Sequence, residues 1–593
     1  MLKIFLRSSL NSIYRYTSYA HVIKVSGKMQ NVYFRHTDGA DHFEVTFHFK
    51  DELKGINRAF NFCRQVSEGI DVFLARVGAN LERALNKKKK KKKGTIEESE
   101  AVEVKVQLLE NGKPISRDIS CKDVLLNNSN FTLDVLGTSY SIVVNAPWVV
   151  SLALPNSIMA GFPVYPSKFR VMFAETRGCG FQWFKNDKGK DTKKVNIEGE
   201  SWLEVGTGYF YTPLARDIGH KLKVICTPKK SDEQGPPYEV VSSGSVEAGP
   251  GLCPFESRHL FTQEYLTAES FRVVSYNILA DLYADSEVAH TQLYPYCLPY
   301  ALDIDYRKQL ILKELLGYHS DIICLQEVDS RVFDHDLVPV MGSVGYDGVF
   351  HRKGGTVNEG LAVLFRTSRF KLSDSQNVLL SEEVKTNAVF SDIWKRVEGN
   401  QVLAERFLAR NTCVQCVVLE AGGGERVVVG NTHFYFHPDA DHIRLLQGGM
   451  AVLYLQDVCT RLCSLPEGKR VSLVFCGDFN STPDCGVYRL MTTQFVPEDY
   501  LDWKSKPEEE VEGLSLSHSL NMQSACGTPD FTNFTAGFQG CLDYIFYQSD
   551  QLEVTQVVPL PSLEEVTQHT ALPSVVSPSD HLALVADLRW RPV

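Results

Sequence analysis

The chain has 593 residues, is 44% hydrophobic and 23% charged, and carries a formal net charge of −10. That length predicts roughly two to four domains with sizeable cores. The acidic balance excludes a protein that coats nucleic acid through bulk charge, so a nucleic-acid substrate would need a local positive groove. Fifteen cysteines without framework spacing predict reduced thiols rather than a disulfide scaffold. Cys413 and Cys416 form a lone CxxC inside a strand-like run, TCVQCVVLE, which is a weak metal signal.

The first 37 residues hold six Lys/Arg and no Asp or Glu. Lys3, Arg7 and Arg15 fall at multiples of four, and Leu2, Phe5, Leu6, Leu10 and Ile13 would line another helical face. This predicts a mitochondrial presequence over about residues 1–30 and a location in the mitochondrial matrix. Residues 31–100 predict a small α+β segment. VYFRHTDGADHFEVTFHF alternates like a hairpin, and INRAFNFCRQVSEGIDVFLARVGANLERAL has helical spacing. Residues 87–93 are seven consecutive lysines. Their mutual repulsion predicts a disordered surface loop, with a nucleic-acid tether as the functional alternative.

Residues 101–248 predict a β-rich domain: VEVKVQLLE, FTLDVLG, YSIVVN, FRVMFAE, FQWFKND and KLKVICTP are separated by turn residues. FQWFK and YTPLARDIGHKLKVICTP suggest the tryptophan strand and tyrosine corner of an immunoglobulin-like sandwich, with Cys226 but no evident disulfide partner. The apolar stretch at 141–164 is cut by Asn145, Pro147, Pro155 and Asn156, so it predicts strands and turns and no membrane span.

After a small-residue linker at 242–254, residues 255–593 change character. Strand-like runs at 271–279, 321–329, 360–366, 426–434, 472–480, 541–547 and 581–588 alternate with helical stretches, and no glycine-rich nucleotide loop is present. This predicts a layered α/β catalytic domain. Polar groups collect at the strand ends: Asn277, Glu327, His433, Asp478 with Asn480, and Asp543, while Asp580 and His581 precede the last strand. Any one of these is an ordinary turn former or cap. Together they suit a hard divalent cation, Mg²⁺ or Mn²⁺, beside groups that position water and stabilise phosphate charge. Phosphodiester hydrolysis fits that set.

The motifs SYNIL, CLQEVD, GNTHF, CGDFNSTP, LDYIF and SDHLAL, in that order, resemble the endonuclease/exonuclease/phosphatase superfamily. GDFNSTPDCGVYRL and FTNFTAGFQGCLDYIFY resemble its Ccr4-type deadenylase branch. The resemblance implies a four-layer αββα sandwich preceded by the β-rich region. It implies Glu327 as the principal Mg²⁺ ligand (Mn²⁺ the alternative), supported by Asn277, with Asp580 beside the metal. Asp478 would orient or activate water, Asn480 would hold the scissile phosphate, and Asp543 would pair with His581. His581 and His433 would contact phosphate oxygens. Pro438 and Phe538 would sandwich an adenine. The implied activity is a 3′-to-5′ exoribonuclease that removes adenylates from mitochondrial RNA tails and cleaves 2′,5′-linked oligoadenylate to 5′-AMP, with no membrane partner. The rivals on the same scaffold are an abasic-site DNA endonuclease, an inositol polyphosphate phosphatase and a sphingomyelinase. The rival of another class is a non-catalytic RNA-binding protein.

Overall fold

A computed structural model describes residues 31–51, 56–91, 104–115, 119–126, 131–187 and 201–592. The expected presequence lies outside the described residues. The chain divides into two compact units, one of Met1–Leu152, Phe169–Gln182 and Val224–Val240, the other of Ala153–Lys168, Trp183–Lys223 and Val241–Val593.

The first unit holds a seven-stranded sheet in the order Ile56–Gln65, His42–Asp51, Asn31–Arg35, Thr138–Val144, Phe131–Val135, Val106–Glu110 and Lys113–Pro114. Asn31–Arg35 runs antiparallel to His42–Asp51 and parallel to Thr138–Val144. Phe34, Phe43, Val45 and Phe47 of the sheet share a core with Phe73, Val77 and Leu81 of the helix Ile70–Lys91. Three expectations change here. Residues 56–65 are a strand, not a helix: Ile56, Phe60 and Cys63 satisfy helical spacing, but all ten residues pair with His42–Asp51. The boundary expected between residues 100 and 101 falls inside this sheet, which takes strands from both sides of it. The helix continues through Lys91, where a loop was expected from Lys87. Lysine is a good helix former, and repulsion between like charges at i,i+4 is only a few tenths of a kcal/mol per pair. Lys92 and Lys93 lie outside the described residues.

The apolar stretch at 141–164 contains the strand Trp148–Ala153, and among the described residues no helix is long and apolar enough to cross a membrane. Trp183 is fully buried and its indole N–H donates to Gly208 O at 2.9 Å. The Tyr211 hydroxyl donates to the Asp217 side chain, Oδ2, at 2.6 Å, and not to an upstream backbone group as the expected tyrosine corner requires. Cys226 is a buried free thiol. Cys413 and Cys416 are also buried and free, three apart on the strand Cys413–Ala421, so their side chains leave opposite faces. Burial pushes both thiols up to about 12, a core role and not a ligand pair.

The second unit contains two six-stranded sheets. One runs Tyr346–Arg352, Glu359–Arg366, Ile322–Asp329, Ser270–Asn277, Leu584–Trp590, Leu552–Val557. The other runs Phe370–Leu379, Cys413–Ala421, Arg426–His433, Val471–Asp478, Asp543–Gln548, Met522–Ser524. Alternation along the strands assigns each side chain to a layer. Val273, Ile322 and Cys324 of the first sheet pack with Val427, Val429, Val474 and Cys476 of the second. The intervening Val274, Ile323 and Leu325 pack on Ile311, Leu312 and Leu315 of the helix Ile304–Gly317. Val428, Leu473 and Phe475 pack on Leu446, Met450 and Leu455 of the helix Asp441–Cys463. The result is helix, sheet, sheet, helix. Each of those helices is the crossover that a parallel strand pair requires: Ser270–Asn277 with Ile322–Asp329, and Arg426–His433 with Val471–Asp478.

Candidate active site

Strand register brings the polar ends together. His433 lies opposite Asp478, and Asp478 lies opposite Asp543, across three neighbouring strands of one sheet. Asn277 stands at the end of its strand in the other sheet, next to Ile322–Asp329. That neighbour carries a bulge between Leu325 and Val328, and Glu327 sits in it with φ +56°. A left-handed glutamate is strained and held by its surroundings. Here Oε1 accepts from Asn277 Nδ2 at 3.1 Å and Oε2 accepts from the Ala280 N–H at 2.9 Å.

Asn277 Nδ2 also donates to Asp478 Oδ2 at 3.0 Å, tying one sheet to the other. Asp478 Oδ2 lies 3.5 Å from both His433 Nε2 and His581 Nε2. His581 Nδ1 is 2.8 Å from Asp543 Oδ2, which also accepts from the Thr532 hydroxyl at 2.6 Å. The strand ends at Asp478. Phe479 turns into the core against Phe434, Phe475 and Phe546, and Asn480 adopts φ +48°. So a left-handed turn, not continued strand alternation, sets Asn480. Its N–H donates to Asp478 Oδ1 at 2.9 Å and its amide to Phe434 O at 3.0 Å. Asp580 Oδ2 accepts from the Tyr294 hydroxyl at 2.9 Å and from Asn533 Nδ2 at 3.2 Å.

The electrostatics separate the two histidines. Burial opposes charge on His581, but Asp543 and Asp478 outweigh it and hold its pKa well above the usual value. Burial, then Lys353 and His581, push His433 well below. Lys353 Nζ lies 3.0 Å from His433 Nδ1 and 2.7 Å from Glu359 Oε1. An ammonium can only donate, so His433 Nδ1 accepts and Nε2 carries the proton. Burial raises Glu327 to about 7, with Glu359 adding to the rise and Lys353 opposing it. Burial raises Asp478 to about 6. Crowded, buried carboxylates with raised pKa values fit a hard divalent cation. Asp478, Asp543 and His581 also bring ligand atoms within 4.8 Å of one another.

Phe538 is 44% exposed at the tip of the hairpin Asn533–Phe534 and Gln539–Gly540, whose Asn533 reaches Asp580. Pro438 is exposed on the loop after His433. They stand on separate loops, Pro438 five residues after His433 and Phe538 five residues before Asp543. Sequence reasoning missed Lys353, Glu359, Tyr294, Thr532 and Asn533. Only the last two had a signal, FTNF beside LDYIF. It also missed the polar layer beneath the site, where Gln326 Nε2 donates to Asn431 Oδ1 at 2.8 Å between the sheets.

Residues 274–581 match the Endonuclease/Exonuclease/phosphatase family. The chain belongs to this family. It is an enzyme of its phosphoesterase fold, and residues 146–247 match the 2',5'-phosphodiesterase 12-like N-terminal domain. The family member 2',5'-phosphodiesterase 12 of Rattus norvegicus is 42% identical over 472 residues, covering 77% of this chain and 76% of that protein. The Homo sapiens protein of the same name is 40% identical over 471 residues, covering 77% and 76%. The Ccr4 3'-5'-exoribonuclease subunit of the CCR4-Not complex of Mycosarcoma maydis is 31% identical over 323 residues, covering 49% and 46%.

Proposed function

We propose that the chain is a Mg²⁺-dependent 3′-to-5′ exoribonuclease that removes adenylates from RNA 3′ ends and cleaves 2′,5′-linked oligoadenylate, releasing 5′-AMP. The observation that carries this reading is the hydrogen-bonded chain from Glu327 through Asn277 and Asp478, with Asp478 lying beside the Asp543–His581 pair. Glu327 would hold the cation, with Asp580 close by. When bound, the cation neutralises charge on the phosphate and on the departing oxygen.

The residues divide the remaining work. Asp478, with a pKa of about 6, is ionised at neutral pH and accepts a proton from the attacking water. The Asn480 amide holds the phosphate in line. His581, charged through Asp543, and His433, neutral with its Nε2 proton, donate to non-bridging phosphate oxygens. The water oxygen bonds to phosphorus, the bond from phosphorus to the 3′ or 2′ oxygen breaks, and that oxygen takes a proton from solvent and leaves as a hydroxyl, while Asp478 returns its proton to solvent. None of these groups needs to read which ribose oxygen departs, which supports action on both linkages. The names of the relatives support the same substrates.

We place the protein in the mitochondrial matrix, on the support of the basic, acid-free residues 1–37. A reporter fused behind residues 1–30 should enter mitochondria, and a cytosolic reporter rules the location out. For the activity, purified protein is offered oligo(A), oligo(U), 2′,5′-oligo(A), abasic duplex DNA and inositol phosphates, with and without Mg²⁺. The expected product is 5′-AMP from the adenylate substrates, and only with the cation. Consumption of the DNA or the inositol phosphates alone overturns the reading.

A further inference from the structure

The loop between the strand Arg426–His433 and the helix Asp441–Cys463 carries four rings in succession, the buried Phe434 and then Tyr435, Phe436 and His437. Phe436 is 71% exposed. A single exposed phenylalanine needs no explanation, but this one stands on an ordered loop. The carbonyls on either side of it, Tyr435 O and His437 O, both accept from Arg444 Nη1, at 3.0 and 2.6 Å. Arg444 is itself buried, and Gln447 Oε1 accepts from the Tyr435 N–H at 3.1 Å. A buried arginine thus fixes the backbone in a shape that holds the ring in solvent.

Its neighbours are equally specific. Tyr435 and His437 stack at 6.1 Å with 23° between planes, and Phe436 meets Tyr435 edge-on at 5.5 Å. The Arg410 guanidinium lies 4.5 Å from the Tyr435 ring centre and that of Arg406 lies 5.5 Å away. Arg406 is itself paired with Asp439 and Glu509, which leaves Arg410 as the cation; fixed rings beside a cation are what a single-stranded nucleic acid binds, with a base on the ring and the backbone near the charge. Phe436 lies three residues from His433, so their Cα atoms are at most about 11 Å apart.

We propose that Phe436 is a second stacking platform, taking the base of the nucleotide next to the one held between Pro438 and Phe538. The inference rests on the reading of the site as an adenylate exonuclease, and it makes chain length part of the specificity. A dinucleotide would gain less from the site than a longer adenylate. The ridge is sequence-tolerant by itself, because every base offers a π-face.

The test uses the full chain and adenylates of two to six units. Wild type should show a fall in KM as the chain lengthens. In Phe436→Ala that fall should shrink by about tenfold, in line with the loss of one base stack, with kcat on the hexamer retained. Phe436→Trp should restore it. In parallel, fluorescein-labelled hexa-adenylate is titrated by anisotropy in EDTA, where Phe436→Ala should weaken binding by a similar factor. An unchanged length dependence and unchanged anisotropy overturn the platform. Wild type that binds the probe through Phe436 but releases no AMP refutes the exonuclease reading and leaves the platform standing. Wild type that neither binds nor cleaves overturns both.

Discussion

Glu327 shows how function and stability pull apart at one residue. Its carboxyl is raised to about 7 by burial and by Glu359, while an unfolded glutamate titrates near 4.3. The fold therefore favours the neutral form, and the penalty grows as pH rises from the unfolded value to about 7, staying full above it. Glu327→Gln removes the charge but leaves either Asn277 or the Ala280 N–H without its acceptor. In chelator at pH 8 the variant should be more stable than wild type by about 2 kcal/mol, the pKa difference less one lost hydrogen bond, and near pH 4 the order should reverse. Its turnover should fall by orders of magnitude, and added Mg²⁺ should raise the wild-type melting temperature but not the variant's. Denaturant titrations in EDTA at the two pH values check the sign. A less stable variant at pH 8 contradicts it.

At the scale of elements, the site depends on two strands approaching closely. A Cβ on Gly477 would lie 2.4 Å from Thr432 O on the parallel neighbour, one residue before the His433–Asp478 register. Gly477→Ala should therefore push the strands apart, costing about 1–3 kcal/mol and lowering kcat by moving Asp478 from His433. Gly422→Ala is the control: nothing lies within 4 Å of its Cβ, so its effect should stay within about 0.5 kcal/mol. Equal stability of the two variants by urea unfolding refutes the argument. The same scale explains the misread strand Ile56–Gln65. Its apolar residues satisfy both periods, and only pairing with His42–Asp51 decides between them.

For the whole molecule, the first unit's sheet is closed by sequence-distant strands. Asn31–Arg35 sits inside the sheet between His42–Asp51 and Thr138–Val144. A chain beginning at residue 31 keeps all seven strands of this sheet and should melt like the full chain. One beginning at residue 37 loses an interior strand, exposes two unpaired edges and should be poorly soluble. Circular dichroism melts and sedimentation of the two truncations test this. Equal behaviour of both means that the strand contributes little.

The sequence by itself determined which polar side chains are candidates for the chemistry. Asn277, Glu327, His433, Asp478 and Asn480 were legible because each stands at the end of a short apolar run, and Asp543 and His581 because each stands at the start of one. It also determined the layered α/β class, from strands alternating with amphipathic helices. Only the tertiary structure decided that a bulge turns Glu327 towards Asn277, and that a left-handed turn, not strand alternation, sets Asn480. Only it brought Lys353 to His433 across 80 residues of chain and separated the two histidines by charge. Periodicity is a property of neighbours along the chain, whereas a hydrogen bond or a pKa shift depends on groups that folding brings close from distant positions.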